Sequence, residues 1–351
     1  MSISFESSME FSKLKKLSLC ENKIEEIIFE NIRSLGDIMP SITHLYLGKN
    51  DLKSVDFLKN FPLSLTYLDL HANEIKNFDI GKSVNRLKVL NLNENQIESL
   101  CGFHDSIYDY RRCWGMTLGV LRQLQCLSIV NVGLQYIAPD SFENLSELIY
   151  LDMSENKISE INNALNNLVQ LKTLILKNNQ LIDIPNISNL KNLEYFSVSN
   201  NNLTSLKRYT FDHLLNLKIL KLSHNGLTEI IPGTFNKLVS LEVLDLSSNK
   251  LQILPNDWIG PKIKLKYLFL NDNSLTSLQS SSIIKIKTLQ HLNIGNNPLR
   301  FMINLQTLWS LSENLTMDVE VEQYFELPSM PYMINEIRND EIRTITMRDF
   351  D

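Results

Sequence analysis

The stretch LKILKLSHNGL, residues 217–227, decides how this chain must be read. Leu217, Leu220 and Leu222 stand at positions one, four and six, Asn225 at nine and Leu227 at eleven. Around Leu220 the apolar and polar residues alternate with period two, the pattern of a half-buried strand. The Asn then interrupts it at a fixed distance.

The same template, L-x-x-L-x-L-x-x-N-x-L, recurs in phase along the chain, and such self-similarity takes precedence over any local reading. It begins with LKKLSLCENKI (14–24), ITHLYLGKNDL (42–52), LTYLDLHANEI (65–75) and LKVLNLNENQI (87–97). It resumes after an irregular stretch with LQCLSIVNVGL (124–134), LIYLDMSENKI (148–158), LKTLILKNNQL (171–181) and LEYFSVSNNNL (193–203). Beyond the opening example come LEVLDLSSNKL (241–251), LKYLFLNDNSL (265–275) and LQHLNIGNNPL (289–299), twelve segments in all. Asn73 and Asn95 are 22 apart; Asn225, Asn249, Asn273 and Asn297 are each 24 apart.

These segments resemble the leucine-rich repeat superfamily, and are most like the ectodomain repeats of Toll-like receptors and of the adhesion protein chaoptin. The resemblance covers about residues 14–300. It implies an α/β solenoid, a curved horseshoe of about twelve repeats with a parallel sheet on its concave side. One strand per repeat places neighbours about 4.8 Å apart, so the concave arc is about 53 Å long over eleven steps. No repeat buries its leucines alone; stacking makes one continuous core. The chain divides into an N-terminal cap (1–13), the solenoid (14–300) with an insertion at 101–123, and a C-terminal cap and tail (301–351).

After each strand the chain turns inward and takes backbone N–H and C=O groups away from water, at about 1–3 kcal/mol for each group left unpaired. A carboxamide both donates and accepts, so it serves its own turn and the next repeat. Asn22, Asn50, Asn73, Asn95, Asn156, Asn179, Asn201, Asn225, Asn249, Asn273 and Asn297 are expected to form this structural ladder. In the fifth repeat the site holds Val132, with Asn131 one place early, so the ladder should break there.

On the outer side three repeats carry F-x-x-L-x-x-L: Phe142–Leu145–Leu148, Phe211–Leu214–Leu217 and Phe235–Leu238–Leu241. The spacing of three suits a short helix or 3₁₀ turn. A further extension, EEIIFENIRSLGDIMPS, separates the first two repeats and reads as an extra helical turn.

The stretch CGFHDSIYDYRRCWGMTLGVLRQ (101–123) adds 13 to 15 residues to one repeat. Such insertions map to loops and often bind partners. Its Phe103, Tyr108, Tyr110, Arg111, Arg112 and Trp114 are residue types that anchor interfaces; equally, they could patch the irregularity at Val132. Cys101 and Cys113 bracket it and could pair in an oxidising compartment, or remain thiols in the cytosol. Cys20 and Cys126, four strand steps or roughly 19 Å apart, are beyond disulfide reach.

A net charge of −6 over 351 residues gives no argument for nucleic acid. No apolar run approaches the roughly 18 residues of a membrane span. The N-terminus lacks the pattern of a secretory signal: the chain is cytosolic, or its true beginning is not included. No phosphate-binding loop, metal-ligand spacing or nucleophile motif appears, so no catalytic, cofactor or metal residue is named and an enzyme is not expected. His104, Asp105 and Cys113 share the insertion, but their spacing supports no nucleophile set. Four Asn-x-Ser/Thr triplets occur, at Asn144, Asn186, Asn202 and Asn314.

Binding is expected on the concave strands. Ile175 and Phe269 are apolar where the repeat normally carries a small or polar residue, and an exposed apolar patch often marks a partner site. The candidate partner-binding residues are Tyr46, Tyr150, Ile175, Tyr195, Ile219, Lys221, Tyr267 and Phe269, with Trp114 from the insertion. The reading is a non-enzymatic module that recognises a protein ligand, receptor- or adhesion-like, or alternatively a cytosolic scaffold or regulatory subunit with the same face.

Overall fold

Each of the twelve repeat segments supplies one three-residue strand to a single parallel sheet. In the computed structural model these run in chain order: Lys16–Ser18, His44–Tyr46, Tyr67–Asp69, Val89–Asn91, Cys126–Ser128, Tyr150–Asp152, Thr173–Ile175, Tyr195–Ser197, Ile219–Lys221, Val243–Asp245, Tyr267–Phe269 and His291–Asn293. A thirteenth strand, Thr316–Asp318, extends the sheet beyond His291–Asn293. The structure describes residues 1–6, 10–29, 34–58, 62–80, 86–102, 115–276, 283, 286–299 and 316–318. Residues Met1–Val319 form one compact unit. The tail beyond, and with it most of the expected C-terminal cap, lies outside the described residues.

The strand register is uniform. Each central leucine pairs with its counterpart one repeat on, as Leu220 does with Phe196 and Leu244. This period-two arrangement sends Leu217, Leu220 and Leu222 inward, all fully buried, while Ile219 and Lys221 face out. The leucines of all repeats join in one core that continues from Ile24 to Ile294. The solenoid is therefore a stack in which every turn covers its neighbours' apolar surface.

The outer side is built from turns more than from helices. Leu145 N donates to Phe142 O and Leu148 N to Leu145 O, both at 3.0 Å, and Leu214 and Leu217 repeat this after Phe211. The spacing of three is thus a pair of linked turns closed by i to i+3 hydrogen bonds. Short 3₁₀ helices form at Asp56–Leu58 and Ala164–Asn167. Beneath these turns Phe142, Phe211 and Phe235 are fully buried; Phe211 stacks on Phe235 at 5.7 Å, and Trp258 meets Phe235 edge-on at 5.9 Å.

The two departures from regular spacing lie on this outer side. In the first, Glu26–Phe29 forms a strand that pairs with Ser2–Phe5, and a helical turn follows at Leu35–Ile38, capped by Ser34. In the second, Ser99–Cys101 lies between Met116–Thr117 and Tyr136–Ile137 in a three-stranded sheet. The strand face is uninterrupted beside it, because Val89–Asn91 pairs directly with Cys126–Ser128. Cys101 is disulfide-bonded, its partner outside the described residues; Cys20 and Cys126 are free. Residues 103–114, Trp114 included, also lie outside them.

Candidate functional site: the concave strand face and the ladder beneath it

The turn after each strand explains the Asn. The residue just before the ladder position adopts a left-handed backbone in all twelve repeats, from Glu21 (φ 63) through His224 (φ 52) to Asn296 (φ 54). For residues other than glycine this costs roughly 1–2 kcal/mol each. The Asn that follows ties the turn down. Asn249 Nδ2 donates to Leu246 O at 3.0 Å and Ser247 O at 3.1 Å in its own turn, and to Leu222 O at 3.0 Å in the preceding one. Its Oδ1 accepts from Leu227 N at 3.1 Å. Asn50, Asn73, Asn95, Asn156, Asn179, Asn201, Asn225, Asn273 and Asn297 repeat this pattern.

Two expectations need correction. The rungs reach back to the preceding repeat, not forward, because the inward turn sets the amide against the carbonyl one strand earlier. Asn22, in the first repeat, is exposed; its Nδ2 donates to Cys20 O at 2.7 Å, within its own turn.

At Val132 one rung is missing. Leu222 O receives two side-chain amides, from Asn225 and Asn249, whereas Leu92 O receives Asn95 alone and Ile129 O receives Asn156 alone. The junction is fastened instead by Asn93, two residues before its repeat's own rung. Its Oδ1 accepts from Val130 N and from Ser128 Oγ, each at 2.8 Å. Sequence reading passed over Asn93; the available signal was the doubled Asn93-Glu94-Asn95 directly before the defective repeat. A second series of asparagines on the outer turns was also missed. Asn144 donates to Gly119 O, Asn167 to Glu143 O and Asn189 to Asn166 O, at 3.1 to 3.3 Å.

The concave face carries two clusters separated by a polar stretch. Tyr150, Ile175, Tyr195, Ile219, Lys221, Tyr267 and Phe269 stand on five of six consecutive strands, the remaining one placing Val243 and Asp245 between Ile219–Lys221 and Tyr267–Phe269. All seven are half-buried. Tyr46 stands apart, in a group with His44 and Tyr67 whose ring centroids are 5.0 to 6.3 Å apart. The strands Val89–Asn91 and Cys126–Ser128 separate the groups.

Within the larger cluster, Lys221 Nζ lies 5.8 Å from the centre of the Tyr195 ring, and Tyr267 stacks on His291 at 4.8 Å. Burial lowers the Lys221 ammonium below its usual range, opposed by the Asp245 carboxylate. Burial raises the Asp152 carboxyl, against hydrogen bonds from Ser154 and Tyr150 that favour its charged form. It also pushes the Tyr195 hydroxyl and the Cys126 thiol up to about 12. At the other end His71 Nδ1 lies 2.8 Å from Asp69 Oδ1, which raises the imidazole pKa against burial. A Cβ on Gly48 would come within 2.2 Å of that ring, so any larger residue here forces the His71 ring to move. Among the described residues no group of three or more His, Cys, Asp or Glu is placed to hold a metal ion, and no helix is long and apolar enough to cross a membrane.

Comparison with known proteins agrees with this architecture. The leucine rich repeat family model matches residues 122–181, 191–251 and 215–261, and a two-copy repeat model matches 169–210. Osteomodulin of Bos taurus is 31% identical over 206 residues, 57% of this chain and 44% of that protein. Toll-like receptor 2 type-2 of Gallus gallus is 27% identical over 224 residues, 57% of this chain and 27% of the receptor. The chain thus spans less than half the length of either relative. Among solved structures, the Drosophila Toll–Spatzle complex superposes with a TM-score of 0.68 at 19% identity, covering 88% of this chain and 44% of that one. Twelve in-phase strands, a carboxamide ladder and the family-model matches over residues 122–261 make the described residues a leucine-rich repeat solenoid, a fold shared with the Toll structure.

Proposed function

We propose that the chain is a non-enzymatic binding module that receives a protein ligand on its concave strands, in a receptor- or adhesion-like setting. The observation that carries this reading is the band from Tyr150 to Phe269, crossed once by Val243 and Asp245. Ile175 and Phe269 interrupt a position that holds Asp152, Ser197 and Asp245 on neighbouring strands, and rings and a lysine flank them. Half-exposed apolar groups gathered on the solvent side of a sheet often mark a partner site. Aromatic anchors beside a partly desolvated cation are suited to a partner with apolar and acidic groups. The disulfide at Cys101 supports an oxidising compartment over the cytosolic scaffold reading. In the Toll–Spatzle complex a solenoid of the same fold is seen with a protein partner, which supports this reading.

The test is the double variant Ile175→Asp, Phe269→Asp. Both side chains point away from the core, but each new carboxylate stands opposite Asp152 or Asp245, so the expected outcome is a chain that still folds with a modestly lowered unfolding midpoint and partner capture lost. Capture of an identified partner at wild-type affinity by the folded double variant rules the band out as the binding site.

A further inference from the structure

The four Asn-x-Ser/Thr triplets are equal in sequence but not in the fold. Asn186, in Asn186-Ile187-Ser188, is exposed on the outer turn, while Ile187 between the two polar residues is 2% exposed and anchors them. Its Oδ1 accepts from Ser188 N at 3.2 Å and from Ser188 Oγ at 2.8 Å. The hydroxyl is therefore already set against the carboxamide oxygen. The Nδ2 makes only long contacts, 3.4 Å to Asn163 Oδ1 and 3.3 Å to Asn166 Oδ1, which water replaces at little cost. Asn202, in Asn202-Leu203-Thr204, is exposed together with Thr204, and Leu203 between them is fully buried. Asn144 is the opposite case. It is half-buried, and its Nδ2 donates to Gly119 O at 3.1 Å as a rung of the outer series, so substitution at that nitrogen costs an inter-repeat bond. Asn314 lies outside the described residues.

We propose that Asn186 and Asn202 are sites of N-linked oligosaccharide and that Asn144 is not. The substituent is bulky and polar and belongs on a surface turn of a secreted chain. The donor is a lipid-diphosphate-linked oligosaccharide. The bond from sugar C1 to the diphosphate oxygen breaks, a C1–Nδ2 bond forms, and the amide proton leaves with the lipid diphosphate. Both acceptors lie outside the strands Thr173–Ile175 and Tyr195–Ser197 that carry Ile175 and Tyr195. The proposal rests on the extracellular reading above.

The test uses the full chain, directed through the secretory pathway of cultured cells. Peptide mapping after glycosidase treatment in heavy-oxygen water marks each occupied Asn as a labelled Asp. The expected result is label at Asn186 and Asn202 and none at Asn144, with one mobility step lost in Asn186→Gln, another in Asn202→Gln, and none in Asn144→Gln. An unlabelled Asn186 or Asn202, or a labelled Asn144, in folded secreted protein overturns the assignment. Ser188→Ala removes the label at Asn186 while leaving the side chain exposed, which separates loss of the acceptor from misfolding. The compartment is tested independently: a Cys101 thiol open to alkylation in protein from its native source defeats the extracellular reading, whatever the occupancy pattern.

Discussion

The regular stack from Met153 to Asn297 and the junction between Leu92 and Val132 solve the same problem by different means. In the stack the strand-end carbonyls from Met153 to Leu270 each meet two carboxamides, and every left-handed turn is tied to the turn before it. At the junction one rung is absent, and a single side chain, Asn93, reaches forward to Val130 and Ser128. The sheet runs through both without a gap. Strand pairing alone therefore does not need the ladder; the ladder holds the turn, where the backbone is strained and away from water. The same junction carries the insertion on its outer side, so the place that tolerates extra chain is the place where the repeat is least regular.

The comparison can be broken most severely at a regular rung. Asn249→Ala strands Leu227 N and weakens the hold on Ser247 O; at about 1–3 kcal/mol for each buried group left unpaired, a loss of about 2–4 kcal/mol is expected in urea denaturation. Asn93→Ala should cost less, about 1–2 kcal/mol, because Val130 N is only part-buried and can turn to water, whereas Leu227 is fully buried. A loss as large as that of Asn249→Ala would mean that the junction depends on one residue where the stack shares its load.

A third test uses pH at the first turns. Burial, with the Lys16 charge, lowers the His44 pKa to about 4 from an unfolded value near 6.5. Between these values the unfolded chain binds more protons, so stability is full above about 6.5 and declines as pH falls toward 4. His71 has the opposite sign: its raised pKa contributes stability below about 6.5 that is lost as pH rises through the folded value. His44→Gln should flatten the acid-side decline in a denaturation series, and His71→Gln should not. The smallest expected effect is a gain. Val132→Asn restores the missing rung, and about 0.5–1 kcal/mol of added stability is expected; a loss would show that the fifth turn has repacked around valine.

Much of the stack was legible because each repeat states its strand, its turn and its inward residues in eleven letters. The positions of Leu217, Leu220, Leu222 and Asn225 fix face and register together. What escaped was whatever depends on a neighbour one turn away. The direction of the rungs, the substitution of Asn93 for a missing amide and the outer asparagines Asn144, Asn167 and Asn189 are relations between repeats, not within one. The strand pairing of Ser2–Phe5 with Glu26–Phe29 was hidden for the same reason: neither segment follows the template. On the binding face, sequence distinguished Ile175 and Phe269 by departure from the repeat, but could not show that Tyr46 would join a separate cluster with His44 and Tyr67.

The claim that each carboxamide locks its turn to the one before is tested most directly by amide hydrogen exchange in Asn249→Ala. Leu227 N, which Asn249 accepts, should exchange much faster than in the parent chain, while Leu251 N, held by Asn273, should keep its protection. Equal acceleration at both amides, or none at Leu227, would contradict the account.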